Sequence, residues 1–208
     1  MKNKATEVFN KWAQNGKDEG MKKNHFDSYI QIKNIIKKEF QEATNITVAD
    51  IGCGNGWATA GLLQESFITK SCGYDGAEKM IKKAQSSIRG PSFFHANLNN
   101  WEPNQKFDII YSMEVIYYLK NPQEFIQKCY KKWLNPNGLF IAGIDHYKEN
   151  KASLSWGEDL NVLMQTKKIE EWKNILINNN FTNCNVKQVN QKEGWPGTLI
   201  FWGRKNAL

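Results

Sequence analysis

The sequence predicts an α/β protein built on a doubly wound, seven-stranded, mainly parallel sheet. The last strand is expected to be antiparallel, with helices on both faces and a helical extension at the N-terminus. Three observations predict this. From Val48 onward, short apolar runs alternate with longer segments whose apolar residues recur at helical spacing, the pattern of a parallel sheet covered by crossover helices. In residues 48–59, VADIGCGNGWAT, a buried-strand run breaks into Gly52, Gly54 and Gly56 and resumes as a helix through Trp57, Ala58, Ala60, Leu62 and Leu63. Finally, FTNCNVKQVN and TLIFWGRK flank the turn-rich QKEGWPG and read as a closing hairpin.

Taken in order, residues 3–14 place Ala5, Val8, Phe9 and Trp12 at helical spacing, and Gly16 and Gly20 close the segment. A second helix over residues 26–40 carries Tyr29, Ile30, Ile32, Ile35 and Ile36 on its apolar face. After the first strand and its helix come a strand at 67–75, a helix at 77–87 and short strands at 92–97 and 107–112. Asn121-Pro122 starts the next helix, because proline tolerates the first helical position and asparagine caps it. Pro136-Asn137-Gly138 is read as the turn into LFIAGID, the fifth strand, and a helix follows an irregular stretch at about Lys168. The whole reads as one domain over residues 1–208, with 1–44 as the extension and 146–167 as a loop insertion beside the substrate.

Composition narrows the function classes. The 208 residues are 40% hydrophobic and 12% aromatic, as in a folded globular chain. No apolar run approaches a membrane span and the first twenty residues lack the apolar core of a secretory signal, so the expected location is the cytoplasm, without a membrane partner. The net charge of +7 invites a nucleic-acid reading, but the lysines lie in scattered pairs on outer helix faces, which argues against it. Cys53, Cys72, Cys129 and Cys184 form no C-x-x-C pair and have no histidine at ligand spacing, so no metal is expected. The oligomeric state is left open.

The glycine spacing selects the ligand. Dinucleotide sites use G-x-G-x-x-G, whose third glycine lets the helix lie close on the strand; here that position is Trp57, and an acid, Asp50, precedes the first glycine. A carboxylate there repels a pyrophosphate and suits a sulfonium or ammonium. D-x-G-x-G-x-G resembles the first motif of the class I S-adenosylmethionine (SAM)-dependent methyltransferases. The resemblance extends over residues 48–145, with its motifs in order. It implies SAM as cofactor and a site at Asp50, Gly52, Cys53, Gly54 and Gly56. Asp75, followed by Gly76, would accept the ribose hydroxyls; Asn97, where related enzymes usually carry Asp, and Leu98 would hold the adenine; Met113 would border the methionine part.

The flanks are more particular. W-x-x-x-G-x-x-E-x-M-x-x-x-H at residues 12–25 and D-x-Y-x-E-N-x-x-S-x-x-W at 145–156 look like a small-molecule branch of that family. Residues 12–25 are read as a charged connector or as a flap over the cofactor, bringing Trp12 to it. His25, Tyr118, Tyr147, Glu149 and Trp156 are expected around the substrate. His146, Glu114 and Tyr117 are the expected catalytic groups; His146 is favoured as base because it directly follows the fifth strand. The expected partner is a small-molecule acceptor, the alternative being RNA or protein docked on the basic surface.

Overall fold

The structure, a computed structural model, describes residues 2–207. Its seven strands are β1 (Ile46–Ile51), β2 (Ile68–Asp75), β3 (Ser92–His95), β4 (Phe107–Met113), β5 (Leu134–Ile144), β6 (Thr182–Val189) and β7 (Thr198–Arg204). They lie in the order β3-β2-β1-β4-β5-β7-β6, with β7 antiparallel to both neighbours. The other pairs, β2 with β3, β1 with β2 and β4, and β4 with β5, are parallel. Strand order therefore reverses beside β1, and ligands of such sheets bind in the crevice outside the strand ends at that point.

Alternation along each strand decides what faces what. On β4, Ile109, Tyr111 and Met113 join one buried cluster and Ile110 the other, which Phe107 also joins across the register shift between Phe107 and Ile109. On β5, Leu139 and Ile141 face the first cluster, and Phe140, Ala142 and Ile144 the second. The first cluster is covered by α2 (Gly20–Glu39) and α3 (Trp57–Leu63), through Tyr29, Ile32, Ile36, Ala58 and Leu62. The second is covered by α5 (Pro122–Lys128) and α7 (Ile169–Asn178), through Phe125, Ile126, Trp172 and Leu176. Ile32 and Ile36 are wholly buried, and each such side chain stabilises the fold by roughly 1.5–3 kcal/mol. α4 (Glu78–Ser87) packs Ile81 and Ala84 on Phe93 and Cys53, backing the glycine turn.

Two expectations change. Residues 12–25 are not a loop: α1 (Ala5–Asn15) ends at Gly16, whose left-handed φ of 75° lets its N–H return to Trp12 O, and one 3-10 turn leads directly into α2. The fifth strand starts at Leu134 rather than after Gly138. Its pairing with β4 slips between Leu134 and Leu139, so residues 135–138 form an irregularity within the strand.

Candidate active site

A cavity of about 1050 Å³ lies at the carboxyl ends of β1, β2 and β4, roofed by α1, the start of α2 and α6 (Trp156–Asp159). Its floor is the glycine turn. Gly52 and Cys53 donate their N–H groups to Tyr74 O at 2.7 and 3.2 Å, folding the turn back against the end of β2. Gly52, Gly54 and Gly56 all have left-handed φ (77°, 54° and 83°), which glycine adopts without steric cost. A Cβ on Gly52 would lie 2.1 Å from the Val115 side chain, so the turn after β1 and the turn after β4 interlock. Gly56 does not border the cavity; a Cβ there would meet Phe93 and Ile88, and its role is to let α3 start close to the sheet.

Asp75 organises this end. Its Oδ2 accepts Gly54 N–H at 2.8 Å and its Oδ1 accepts Ala77 N–H at 2.7 Å. Each oxygen keeps a second lone pair, so the carboxylate can still accept from a diol. Burial pushes its pKa up, opposed by those two N–H groups. Gly76, Asn97, Leu98 and Met113 border the same space. Asn97 Oδ1 accepts Asn99 N–H at 3.2 Å, which orients the amide.

Asp50 is buried, accepts Thr59 Oγ1–H at 2.6 Å and borders the cavity. Burial pushes its carboxyl up to about 7, so a cationic ligand would draw it into the charged form. Cys53 is buried beside it and burial raises its thiol well above normal, which removes it as a nucleophile.

The other end is aromatic. Phe9 meets Trp12 and Tyr118 edge-to-face, with centroids 5.2 and 5.4 Å apart, and Trp156 closes the wall. Among them stands Glu114, held in left-handed backbone (φ 60°), with Oε2 accepting Tyr117 O–H at 2.8 Å and Oε1 buried without a partner. Beside it, His25 Nδ1 lies 3.6 Å from Asp145 Oδ2. The packing of α2 explains this pair. Ile32 sits over Gly143, where a Cβ would be 2.7 Å from Ile32 Cδ1; two helical turns earlier the same helix face presents His25 above Asp145.

Three expected residues lie elsewhere. His146 lies two residues beyond the end of β5, next to Asp145, and does not border the cavity. It is buried outside the cavity, with Nδ1 2.9 Å from Ser153 O and Nε2 2.8 Å from Thr166 Oγ1. Both nitrogens are engaged, and burial lowers its pKa, so it is a neutral structural group rather than the base. Tyr147 is also fully buried and donates its O–H to Gly197 O at 2.8 Å. Glu149 is exposed and accepts Ile169 N–H at 3.1 Å, capping α7. Neither lines the substrate space.

Sequence reasoning missed the ties that hold the roof. Asp18, fully buried, accepts Asn55 Nδ2–H at 2.8 Å from the glycine turn and Lys83 Nζ–H at 2.9 Å from α4. It also missed that His25, Glu114 and Asp145 bring donor atoms within 4.8 Å of one another. Only the assembled fold unites residues so distant in the chain.

The reversed strand order, the glycine turn clamped by a strand-end carboxylate and a buried acid placed for a cation define a Rossmann-like methyltransferase of class I. The chain belongs to the methyltransferase-domain family, whose model matches residues 24–186. It is 30% identical over 118 residues to trans-aconitate 2-methyltransferase of Escherichia coli, a match covering 57% of this chain. The matched region spans 43% of that relative's length. Among solved structures, a chain from the Haloferax volcanii complex between a methyltransferase activator and its methyltransferase superposes with a TM-score of 0.78, at 21% identity, over 95% of this chain and 97% of that one. Magnesium protoporphyrin IX methyltransferase of Synechocystis, with bound SAM, gives a TM-score of 0.66 at 15% identity, over 90% and 83% of the two chains. These two likenesses establish the fold alone. No helix among the described residues is long and apolar enough to cross a membrane.

Proposed function

We propose that the chain transfers a methyl group to a small molecule enclosed between the glycine turn and the aromatic wall. One observation carries this reading: the strand-end site and the Trp12–Tyr118–Trp156 wall are parts of one cavity, closed over by α1 and α2. Its volume of about 1050 Å³ lies just above the span of single small-molecule sites, roughly 300–1,000 Å³, as suits a cofactor and an acceptor together. The small acceptor named for the Escherichia coli relative points the same way.

The residues present fit SAM. Asp75 would accept the ribose hydroxyls, Asn97 and Leu98 would hold the adenine, and Asp50, Gly52 and Gly54 with Met113 would receive the cationic methionine end. When bound, SAM supplies a methyl group already activated by its sulfonium. The chain's task is then to hold the acceptor atom in line with that methyl and exclude water, and closely held reactants gain much of the acceleration from position alone. Trp12, Tyr118 and Trp156 supply the walls, and His25 and Glu114, the latter held by Tyr117, supply the polar contacts.

Incubating the purified protein with labelled SAM against a metabolite panel and, in parallel, total RNA and protein tests the reading. Label in small molecules, retained at moderate salt, is expected. Label confined to RNA or protein would replace it with a macromolecular acceptor.

A further inference from the structure

We infer that the acceptor is an amine, anchored as an ammonium on Glu114 and deprotonated by His25, which Asp145 holds from behind. The inference rests on the methyl-transfer reading above and adds the class of substrate.

Three buried polar atoms cluster here with no hydrogen-bond partner: Glu114 Oε1, His25 Nδ1 and Asp145 Oδ1. Buried polar atoms are seldom left so, because each unmade bond costs stability, and such a group marks a ligand's place. Two of the three residues are acids, and their donor atoms lie within 4.8 Å of each other and of the histidine. Burial, with Asp145 close by, pushes the Glu114 carboxyl well above the ordinary carboxylate range, and a cation beside it would draw it back into the charged form. The rings of Trp12, Tyr117, Tyr118 and Trp156 line the same cavity, and an aromatic face attracts an organic cation.

The cofactor's own positive charge does not account for the cluster. Asp50 is the acid beside the glycine turn, on β1, whereas Glu114 and Asp145 follow β4 and β5, one and two strands further along the sheet. At the cavity rim the sign reverses, with Lys2, Lys4, Lys17 and Lys120. The rim therefore tolerates an anionic tail, while the deep end selects the positive head.

His25 and Glu114 border the cavity and Asp145 stands behind. Asp145 faces Nδ1, which leaves His25 Nε2 as the nitrogen that can reach the acceptor. The 3.6 Å separation is longer than a hydrogen bond, and such contacts tighten in the loaded site. The groups facing His25 are Asp145 and Glu114; burial lowers its pKa, partly offset by Asp145, so it is neutral and able to accept a proton. The ammonium N–H bond breaks and its proton passes to Nε2, leaving the lone pair on nitrogen. That pair forms the N–CH3 bond as the S–CH3 bond breaks with its electrons to sulfur. The products are a methylated ammonium and S-adenosylhomocysteine (SAH), and His25 returns its proton to solvent.

The test uses full-length protein saturated with SAH, so that the cofactor's cationic sites are filled. Calorimetric titration with benzylamine and with benzoate, similar in shape and opposite in charge, should show the amine binding at least tenfold tighter. Glu114→Gln should weaken benzylamine at least tenfold while SAH affinity stays within twofold, and Asp145→Asn should weaken it in the same direction. With labelled SAM, wild type should methylate benzylamine. His25→Gln should still bind it but lose about 100-fold in rate and the acidic limb of the pH–rate profile. Equal or tighter benzoate binding, binding of neither probe, or no effect of Glu114→Gln would overturn the inference. Tight Mn2+ binding that vanishes in Glu114→Gln would also overturn it and give the cluster to a metal. Methylation of carboxylates but not amines would sink the amine and leave methyl transfer standing; failure to bind SAH would sink both.

Discussion

At the scale of the residue, Asp75 and Asp50 carry the clearest consequences. Asp75→Ala should weaken SAM binding by about 1.5–3 kcal/mol, as for hydrogen bonds to a charged group, with an added loss because Gly54 N–H and Ala77 N–H lose their acceptor. Calorimetry checks this, and an unchanged affinity would remove Asp75 from the ribose site. Asp50 titrates near 7 in the folded protein against an ordinary 3.8. A cationic ligand prefers its carboxylate, so SAM affinity should rise with pH through that range and level off above it. Asp50→Asn should flatten the profile. His146 behaves oppositely. Its folded pKa lies below the ordinary 6.5, so the unfolded chain takes up the proton first and the histidine's contribution to stability is lost as pH falls below that value. His146→Asn should lower stability by about 1–3 kcal/mol in denaturant titrations and leave the pH dependence of turnover intact. His146 and Asp145 are adjacent in sequence, and only the folded chain shows that Asp145 faces His25 while His146 turns to Ser153 and Thr166.

At the scale of the element, the roof is where sequence and structure part. Gly16 and Gly20 look like breakers, and Gly16 does end α1, but Gly20 simply begins α2. The helical spacing of Phe9, Trp12, Ile32 and Ile36 was legible; the partner surface was not, because it depends on Asn55 and Lys83 meeting Asp18 across the fold. Asp18→Ala should leave Asn55 with only the residue-18 carbonyl at 3.3 Å and Lys83 with only Glu19 Oε1 at 3.4 Å, at about 1–3 kcal/mol for the lost buried contacts. Amide hydrogen exchange in residues 5–39 should then quicken more than in β1 or β4. Adding SAM should slow it in wild type more than in the variant. Uniform change across the molecule would mean that Asp18 supports the whole fold rather than the roof.

At the scale of the whole molecule, the number of strands and most element boundaries followed from period-two and helical patterning, which records burial directly, whereas the order of the strands came only from the folded chain. Val48 and Ile51 already show the strand, and the glycines after it show the turn. The acceptor end was less legible, because Glu114, His25 and Asp145 converge from three separate elements and a single residue's periodicity carries no information about that meeting. The charge of +7 bears on partners. With lysines spread over many elements, RNA binding should be weak and fall steeply between 50 and 200 mM salt, as counterion release predicts, on the order of 10³-fold or more if several phosphates are contacted. Gel-shift titration across that range checks it, and tight binding that ignores salt would point to a specific docking face.

Among the described residues, Asn45, Asn137, Asn161, Asn180, Asn183 and Asn190 share the left-handed backbone region with the glycines, and Glu114 is the one other residue found there. Asparagine tolerates that conformation; a glutamate resists it, and such strain costs about 1–3 kcal/mol. The same residue also buries a carboxyl oxygen with no partner. Glu114 is thus a liability to the resting molecule on two counts, and durability and chemistry pull apart at this position. Glu114→Gly should melt about 2–4 °C higher for each kcal/mol of strain released beyond the cost of the lost Tyr117 bond and no longer hold its acceptor. A screen that selects only for heat resistance would be expected to discard the working enzyme here first.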